Sequence, residues 1–296
     1  MTSEDGRAPL LIVDGDNLAH RAYHSTPKTV KAEDGRPINA IVGFVNMLVA
    51  VWRAEEPRAI FVAWDTLGVP TYRHELWPPY QGGREFDPEI VEQLDRLPGV
   101  CAALGFGVGK AAGYEADDLM AAAAAAEVAA GGRCLLLTSD RDSYQLVTED
   151  VTVLSPARGI RELARIGPHE VVAHFGVLPE QVPDFKALSG DASDKIPGAR
   201  GVGPKSAAAL LLRHGTLDGV LETWSRADEV ERLLMFREVV RLRPDVPVEL
   251  PPSSPPDWER GAEALRALGA EKSAERLLAL RNELAAAERS PRLGGL

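Results

Sequence analysis

Apolar residues recur in short unbroken runs at three places along the chain, and each run gives way to an aspartate. Leu10 to Val13 ends at Asp14, Ala59 to Trp64 ends at Asp65, and residues 133–137 lead through Thr138 and Ser139 to Asp140. Apolar runs of this length without alternation fit strands covered on both faces of a parallel sheet. Between them the spacing becomes helical: Ile38 to Arg53 repeats apolar positions at helix intervals, and residues 116–130 form an alanine-rich helical stretch. Alternating strands and helices predict an α/β fold, with a mostly parallel central sheet, helices on both faces and right-handed crossovers. Ligands in such sheets sit beyond the carboxyl ends of the strands, so the three aspartates are expected to converge.

The rhythm fails between residues 66 and 88. This stretch holds Pro70, Pro78, Pro79, Gly82 and Gly83, with Tyr72, Trp77 and Tyr80 beside Arg73 and Arg84. A long connection without core periodicity is usually functional. After Pro168 the pattern turns helical, with two glycine-bearing turns inside residues 192–212. Residues 243–257 are proline-rich and read as a linker or surface strap, and 263–289 as a last amphipathic helix. The predicted organisation is an α/β core over 1–167 that includes the excursion at 66–88, a helical subdomain over 168–243, and a strap with a C-terminal helix over 244–296 packing on the core.

Composition narrows this further. With 45% hydrophobic and 26% charged residues among 296, the chain can bury a substantial core. No apolar run approaches the roughly 20 residues of a membrane span, and the first residues are polar without a signal-like apolar core. The two cysteines, Cys101 and Cys134, stand in apolar contexts without metal-ligand spacing. They are expected to be buried free thiols of a cytoplasmic chain. A net charge of −11 argues against a surface coated in positive potential. It leaves nucleic acid open, because acidic groups gathered in one site can coexist with a basic face.

Nine acidic residues carry the chemistry: Asp14, Asp65, Glu115, Asp117, Asp118, Asp140, Asp142, Asp191 and Asp194. Singly, each has a plain explanation as a helix cap or first-turn residue. Jointly they do not, because two like charges ~4 Å apart repel by about 4 kcal/mol at an effective dielectric near 20. Carboxylates clustered at one sheet edge stay protonated or splay apart unless cations join them. Hard oxygen donors without sulfur or imidazole suit Mg²⁺ or Mn²⁺, and two such ions roughly 3.5–4 Å apart form a clamp for phosphodiester hydrolysis.

Three blocks carry a resemblance. Gly113-Tyr-Glu-Ala-Asp-Asp-Leu119, Thr138-Ser-Asp-Arg-Asp-Ser-Tyr-Gln-Leu146 and Gly190-Asp-Ala-Ser-Asp-Lys-Ile-Pro-Gly198 resemble the signature blocks of the 5′ nuclease superfamily. Within it they resemble the 5′-3′ exonuclease domain at the front of bacterial DNA polymerase I and its free-standing relatives. The likeness runs from about Leu10 to Leu250, and the chain length suggests the free-standing form. The resemblance implies a first metal site from Asp14, Asp65, Glu115, Asp117 and Asp118, with Asp140 shared or near, and a second from Asp142, Asp191 and Asp194. It also implies a structure-specific 5′ nuclease acting on 5′ ends, flaps, nicks and possible RNA–DNA primer ends, as a monomer free of membranes, in replication and repair.

Gly198 to Ser206 resembles the family's helix-hairpin-helix variant, in which Gly201 and Gly203 permit backbone approach and the next helix offers its amides to phosphate. Lys195, Arg200, Lys205 and Arg213 surround it. By likeness, the carbonyls of Gly198 and Val202 would hold a K⁺ ion bridging to DNA. Residues 66–87 correspond to the family's arch, where Tyr72, Tyr80, Arg73 and Arg84 would stack on and neutralise a single strand. Arg21 and Tyr23 match positions near the attacked phosphate. One departure stands out: relatives carry a lysine after the tyrosine at position 80, and this chain has Gln81. The missing charge is expected to be supplied by Arg84 or Arg73.

Two rival readings remain. A branched-DNA-binding protein with weak or no catalysis would account for Gln81 but not for nine retained carboxylates. A phosphatase with an aspartate nucleophile is suggested by Asp14-Gly-Asp16, yet Asn17-Leu18 follow where that chemistry wants Gly-Thr.

Overall fold

The computed structural model describes residues 7–82, 87–157 and 159–289. Six strands, β1 (Leu10–Asp14), β2 (Ala59–Trp64), β3 (Gly107–Lys110), β4 (Cys134–Leu137), β5 (Val151–Ser155) and β6 (Ala164–Ile166), form one sheet in the order β3-β2-β1-β4-β5-β6. All neighbours pair in parallel except β5 and β6. The first described half adds helices α1 (Gly15–Ser25), α2 (Asn39–Glu55), α3 (Tyr72–Leu76), α4 (Pro88–Ala103) and α5 (Ala116–Ala129). The second adds α6 (Pro168–Phe175), α7 (Val182–Ser189), α8 (Pro204–His214), α9 (Leu217–Leu221), α10 (Val230–Val240), α11 (Trp258–Ala267) and α12 (Glu271–Arg289). The α/β architecture with helices on both faces is the one the hydrophobic pattern predicts.

Strand periodicity divides the interior in two. Leu10 and Ile12 of β1 join Phe61 and Leu136 in a core closed by α5, α7 and α10. Leu11 and Val13 face the other way, with Val62 and Leu137, against α1, α2, α4, α11 and α12. Both faces being covered explains why these strands read as unbroken apolar runs. Strands β3, β5 and β6 escaped prediction. β3 is Gly-Val-Gly-Lys, and a Cβ on Gly109 would stand 2.5 Å from the Phe61 ring, so packing requires glycine where a pattern looks for bulk.

The C-terminal segment differs from the single helix expected over 263–289. It is two helices, α11 and α12, broken at Gly269 in the left-handed conformation (φ 77°). Trp258 at the start of α11 meets Trp52 of α2 edge to face, with ring centroids 5.0 Å apart. The proline-rich stretch before it lies against the β3 edge. Pro251 occupies the space beside Gly107, and its carbonyl accepts from the Arg58 guanidinium at 3.0 Å. Arg58 in turn pairs with the buried Glu127 of α5.

Gly15 is the residue that brings α1 down onto the end of β2. A Cβ there would meet the Trp64 ring at 2.6 Å and the Ala63 carbonyl at 2.7 Å, neither of which can withdraw. Gly15→Ala is expected to cost about 1–3 kcal/mol by overpacking. Urea unfolding of the variant checks this, and an unchanged midpoint would show the contact to be soft.

Candidate active site

The carboxylates arrive on strand ends and helix starts. Asp14 closes β1 and caps α1, accepting from the Asn17 amide at 3.1 Å and from the Thr138 hydroxyl at 2.8 Å. Asp65 follows β2 and accepts from the Ala116 amide at 2.7 Å, which ties that strand end to the start of α5. Glu115 caps α5, Asp117 sits in its first turn, and Asp140 follows β4 and accepts from the Asp142 amide at 3.0 Å. Carboxylates at helix N-termini gain from the amide dipoles, which offsets part of their crowding.

Asp14, Asp65, Glu115, Asp117, Asp140, Asp142 and Asp194 line one cavity of about 420 Å³. Asp191 lines an adjoining depression that shares Asp140 and Ser193 with it, and oxygens of Asp142, Asp191 and Asp194 lie within 4.8 Å of one another. The expected convergence therefore holds for eight of the nine. Asp118 is the exception. It is fully buried, and its oxygens accept from the Tyr72 hydroxyl, the Arg73 guanidinium and the amides of Glu115 and Arg243. With those partners it holds the wall of the site and presents no open face to an ion. Asp16, His20 and Gln81 also line the cavity; the sequence had raised Asp16 only in the phosphatase reading and had not singled out His20.

Crowding shows in the proton affinities. Burial, then the charge of Asp65, pushes Asp14 up to about 7, and the same two causes push Asp16 up to about 8. Asp117 is raised well above the ordinary carboxylate range by burial, despite Arg73 beside it, and Glu115 and Asp194 are raised as well. These oxygen donors, short of cationic partners, suit a divalent ion that would let them ionise together. At the other end, burial of Asp191 is outweighed by Lys186, which holds its carboxyl below the usual value.

Two buried cations do the balancing. Arg73, only 1% exposed, forks onto Asp118 at 2.8 Å and Asp117 at 3.2 Å, reaches Glu115 at 3.3 Å and donates to the Val239 carbonyl of α10 at 3.0 Å. This corrects its expected place on a single-strand path: the guanidinium is spent inside the protein. Lys186 of α7 was not foreseen. Its ammonium lies against Asp142 and 2.6 Å from Asp191. The signal was a lysine set among Val182, Phe185, Ala187 and Leu188, a helix too apolar to leave a charge unpaired.

The aromatic expectations are corrected in the same way. Tyr80 is buried, its hydroxyl donating to Glu115 at 2.9 Å and accepting from the Gln81 amide at 2.7 Å. Tyr23 is buried with its hydroxyl on Asp87, and half-buried Tyr72 is held by Asp118 and the Arg241 carbonyl. The rings of Tyr23 and Tyr80 fill apolar space, the Tyr72 ring has the guanidinium groups of Arg73 and Arg243 against it at 4.8 and 4.9 Å, and each hydroxyl satisfies a carboxylate. Arg21 sits on α1 with its Nε buried and unpartnered among the described residues. Arg84 lies outside the described residues.

Around the hairpin, Lys195, Lys205 and Arg213 are exposed. Lys195 adopts a left-handed backbone (φ 56°) and its ammonium meets the Gly82 carbonyl, which joins the hairpin region to the excursion after β2. Arg200 is exposed but paired with Glu229 and Asp228, both at 2.7 Å. Gly198 and Gly201 take φ of 72° and 75°, whereas Gly203 is extended and open to approach. Gly198, Gly201, Val202 and Gly203 line a shallow cavity of about 430 Å³ with Arg232.

A mostly parallel sheet with an acidic cavity past its strand ends, followed by a layer of helices, makes this an α/β protein with a carboxylate site suited to divalent cations. Residues 9–176 match the 5′-3′ exonuclease N-terminal resolvase-like domain and residues 177–259 the 5′-3′ exonuclease C-terminal SAM fold, so the chain belongs to the 5′-3′ exonuclease family of hydrolases. It is 42% identical over 223 residues to DNA polymerase I of Mycobacterium tuberculosis, covering 74% of this chain and 25% of that protein. It is 35% identical over 252 residues to the thermostable DNA polymerase I of Thermus thermophilus, covering 81% and 29%. The chain thus spans about a quarter of the length of these relatives. In fold it is similar to the T5 D15 protein co-crystallised with metal ions (TM-score 0.67, 21% identity, 92% of this chain and 98% of that one). It is also similar to human GEN1 in complex with Holliday junction DNA (TM-score 0.61, 16% identity, 98% and 76%). Among the described residues no helix is long and apolar enough to cross a membrane.

Asp14 and Asp16 bind protons more tightly in the fold than at their ordinary value of 3.8. Their contribution to stability is therefore present at low pH and lost as pH rises through about 7 and 8. In EDTA the melting temperature should fall between about pH 5 and pH 8.5, and Mn²⁺ should reverse the fall; a flat profile would contradict the crowding. Arg73→Ala, which strands Asp117 and Asp118 without a counter-charge, should lose about 3–5 kcal/mol in denaturant unfolding. A loss below about 1 kcal/mol would show that the carboxylates simply take up protons.

Proposed function

We propose that this chain is a structure-specific 5′ nuclease that hydrolyses DNA phosphodiesters at 5′ ends, flaps and nicks, in replication and repair. One observation carries the reading: eight carboxylates drawn from three strand ends, two helix starts and the loop after α7 line a single cavity. Family membership supports it. So do two neighbours in fold, a T5 D15 flap endonuclease in complex with DNA and metal ions and the catalytic core of Rad2 in complex with a DNA substrate.

Asp14, Asp65, Glu115, Asp117 and Asp140 would hold one Mg²⁺ or Mn²⁺, and Asp142, Asp191 and Asp194 a second, with Lys186 yielding its place between Asp142 and Asp191. Bound ions would supply an activated water and offset charge on the departing oxygen. Asp118 and Arg73 keep Asp117 and Glu115 turned toward the cavity. Gln81 offers a neutral amide at its edge, where an arch lysine would have offered charge. The α8 N-terminus, Lys205, Arg213 and Lys195 would seat duplex phosphates without reading bases, with K⁺ held by the carbonyls of Gly198 and Val202. Tyr23, Tyr72 and Tyr80 act from beneath, as supports. The chain acts as a monomer and accepts RNA–DNA primer ends on the same geometry.

Cleavage-site mapping on end-labelled flap, nicked and blunt duplexes with Mg²⁺ or Mn²⁺ tests this. Products should come from the 5′ branch. Asp14→Asn should lower turnover at least about 100-fold while flap affinity without divalent ion stays within a few-fold. Branches bound but left uncut by the wild-type chain would favour a DNA-binding protein without catalysis.

A further inference from the structure

We infer that Asp16 is an additional carboxylate of the ion-binding cavity, one that sets its affinity for divalent cations and fixes the position of Asp65. The inference rests on the nuclease reading only in assuming that the cavity takes such ions.

Asp16 is the second residue of α1 and lines the cavity together with Asp14, Asp65 and Glu115. Its place follows from Gly15, whose missing side chain lets the start of α1 lie against Trp64 and the Ala63 carbonyl. That approach brings the Asp16 Oδ2 within 2.7 Å of the Asp65 amide, which donates to it. Asp65 in turn accepts from the Ala116 amide at 2.7 Å. The Asp16 carboxylate therefore braces the turn leaving β2, whose own carboxylate is fastened to α5. A serine or asparagine could do the bracing alone. A carboxylate adds negative charge to a cavity already short of cations, which is unfavourable for the empty protein and favourable only when cations enter. At hard-cation sites the number of charged ligands and the rigidity of the site together set affinity.

The two duties separate in Asp16→Asn, which keeps an oxygen for the Asp65 amide and removes the charge. Mn²⁺ binding to the full chain, followed by electron paramagnetic resonance of the free ion, should weaken at least about tenfold in Asp16→Asn. The gain in melting temperature on adding Mn²⁺ should also be smaller in the same variant than in wild type. Asp16→Ala should also bind Mn²⁺ weakly but melt lower than Asp16→Asn, because the brace on Asp65 is lost as well. Unchanged Mn²⁺ affinity in Asp16→Asn overturns the inference, as does a wild-type chain that takes up no Mn²⁺. If wild type binds Mn²⁺ and loses affinity on Asp16→Asn, yet cuts no branched DNA, the nuclease reading fails and the assignment of Asp16 stands. If wild type cuts and Asp16→Asn binds Mn²⁺ equally well, only the assignment of Asp16 fails.

Discussion

Like charge held at close quarters is the constraint around which this molecule is organised. Carboxylates from β1, from the turns after β2 and β4, from the start of α5 and from the loop after α7 share one small cavity. Left alone they would repel, and Asp14, Asp16 and Asp117 keep their protons well past the usual carboxylate range. The surroundings are built to tolerate this. Helix N-termini stand under Asp14 and Asp117, the Thr138 hydroxyl donates to Asp14, and the Tyr80 hydroxyl donates to Glu115. Arg73 and Lys186 neutralise the two ends from inside.

Those two cations also join the layers of the protein. Arg73 belongs to α3, pairs with the start of α5 and donates to the end of α10, so the helical second half holds the guanidinium that balances the first half's carboxylates. Lys186, on α7, reaches Asp142 in the turn after β4. The cavity is thus completed by helices far along the chain from the strands that supply most of its acids. A change in how α7 and α10 pack would be felt as a change in charge balance at the strand ends.

The excursion after β2 plays a different part from the one its composition suggested. Tyrosines and arginines in a proline- and glycine-rich connection look like a surface for a single strand, yet Arg73 and Tyr80 are almost fully buried. Buried beside acids, a guanidinium or phenol is worth more as a partner than as an exposed contact, because the acids would otherwise lack one. In its described part this connection exposes Gly68, Val69, Pro70, Glu75, Leu76, Pro78 and Pro79 and sets Gln81 in the wall of the cavity, with Lys195 of the hairpin region reaching over to Gly82.

The chain's linear pattern was enough to foretell the parallel sheet, since strands covered on both faces must be apolar throughout and their ends must turn polar. Asp14, Asp65 and Asp140 were legible for that reason, and three motif blocks supplied the rest of the acids. Sequence could not show that Asp118 turns away from the others, because neighbours on a helix differ by 100° in direction and only packing decides which faces the cavity. Nor could it show Lys186 or Asp16, whose roles depend on partners brought close by α7 and by the Gly15 contact. β3 was hidden because a strand pressed against Phe61 has room only for glycine. Identity of residues determined which chemistry was available; three-dimensional proximity decided which charges meet, and electrostatic energy at a few ångströms depends on nothing else so strongly.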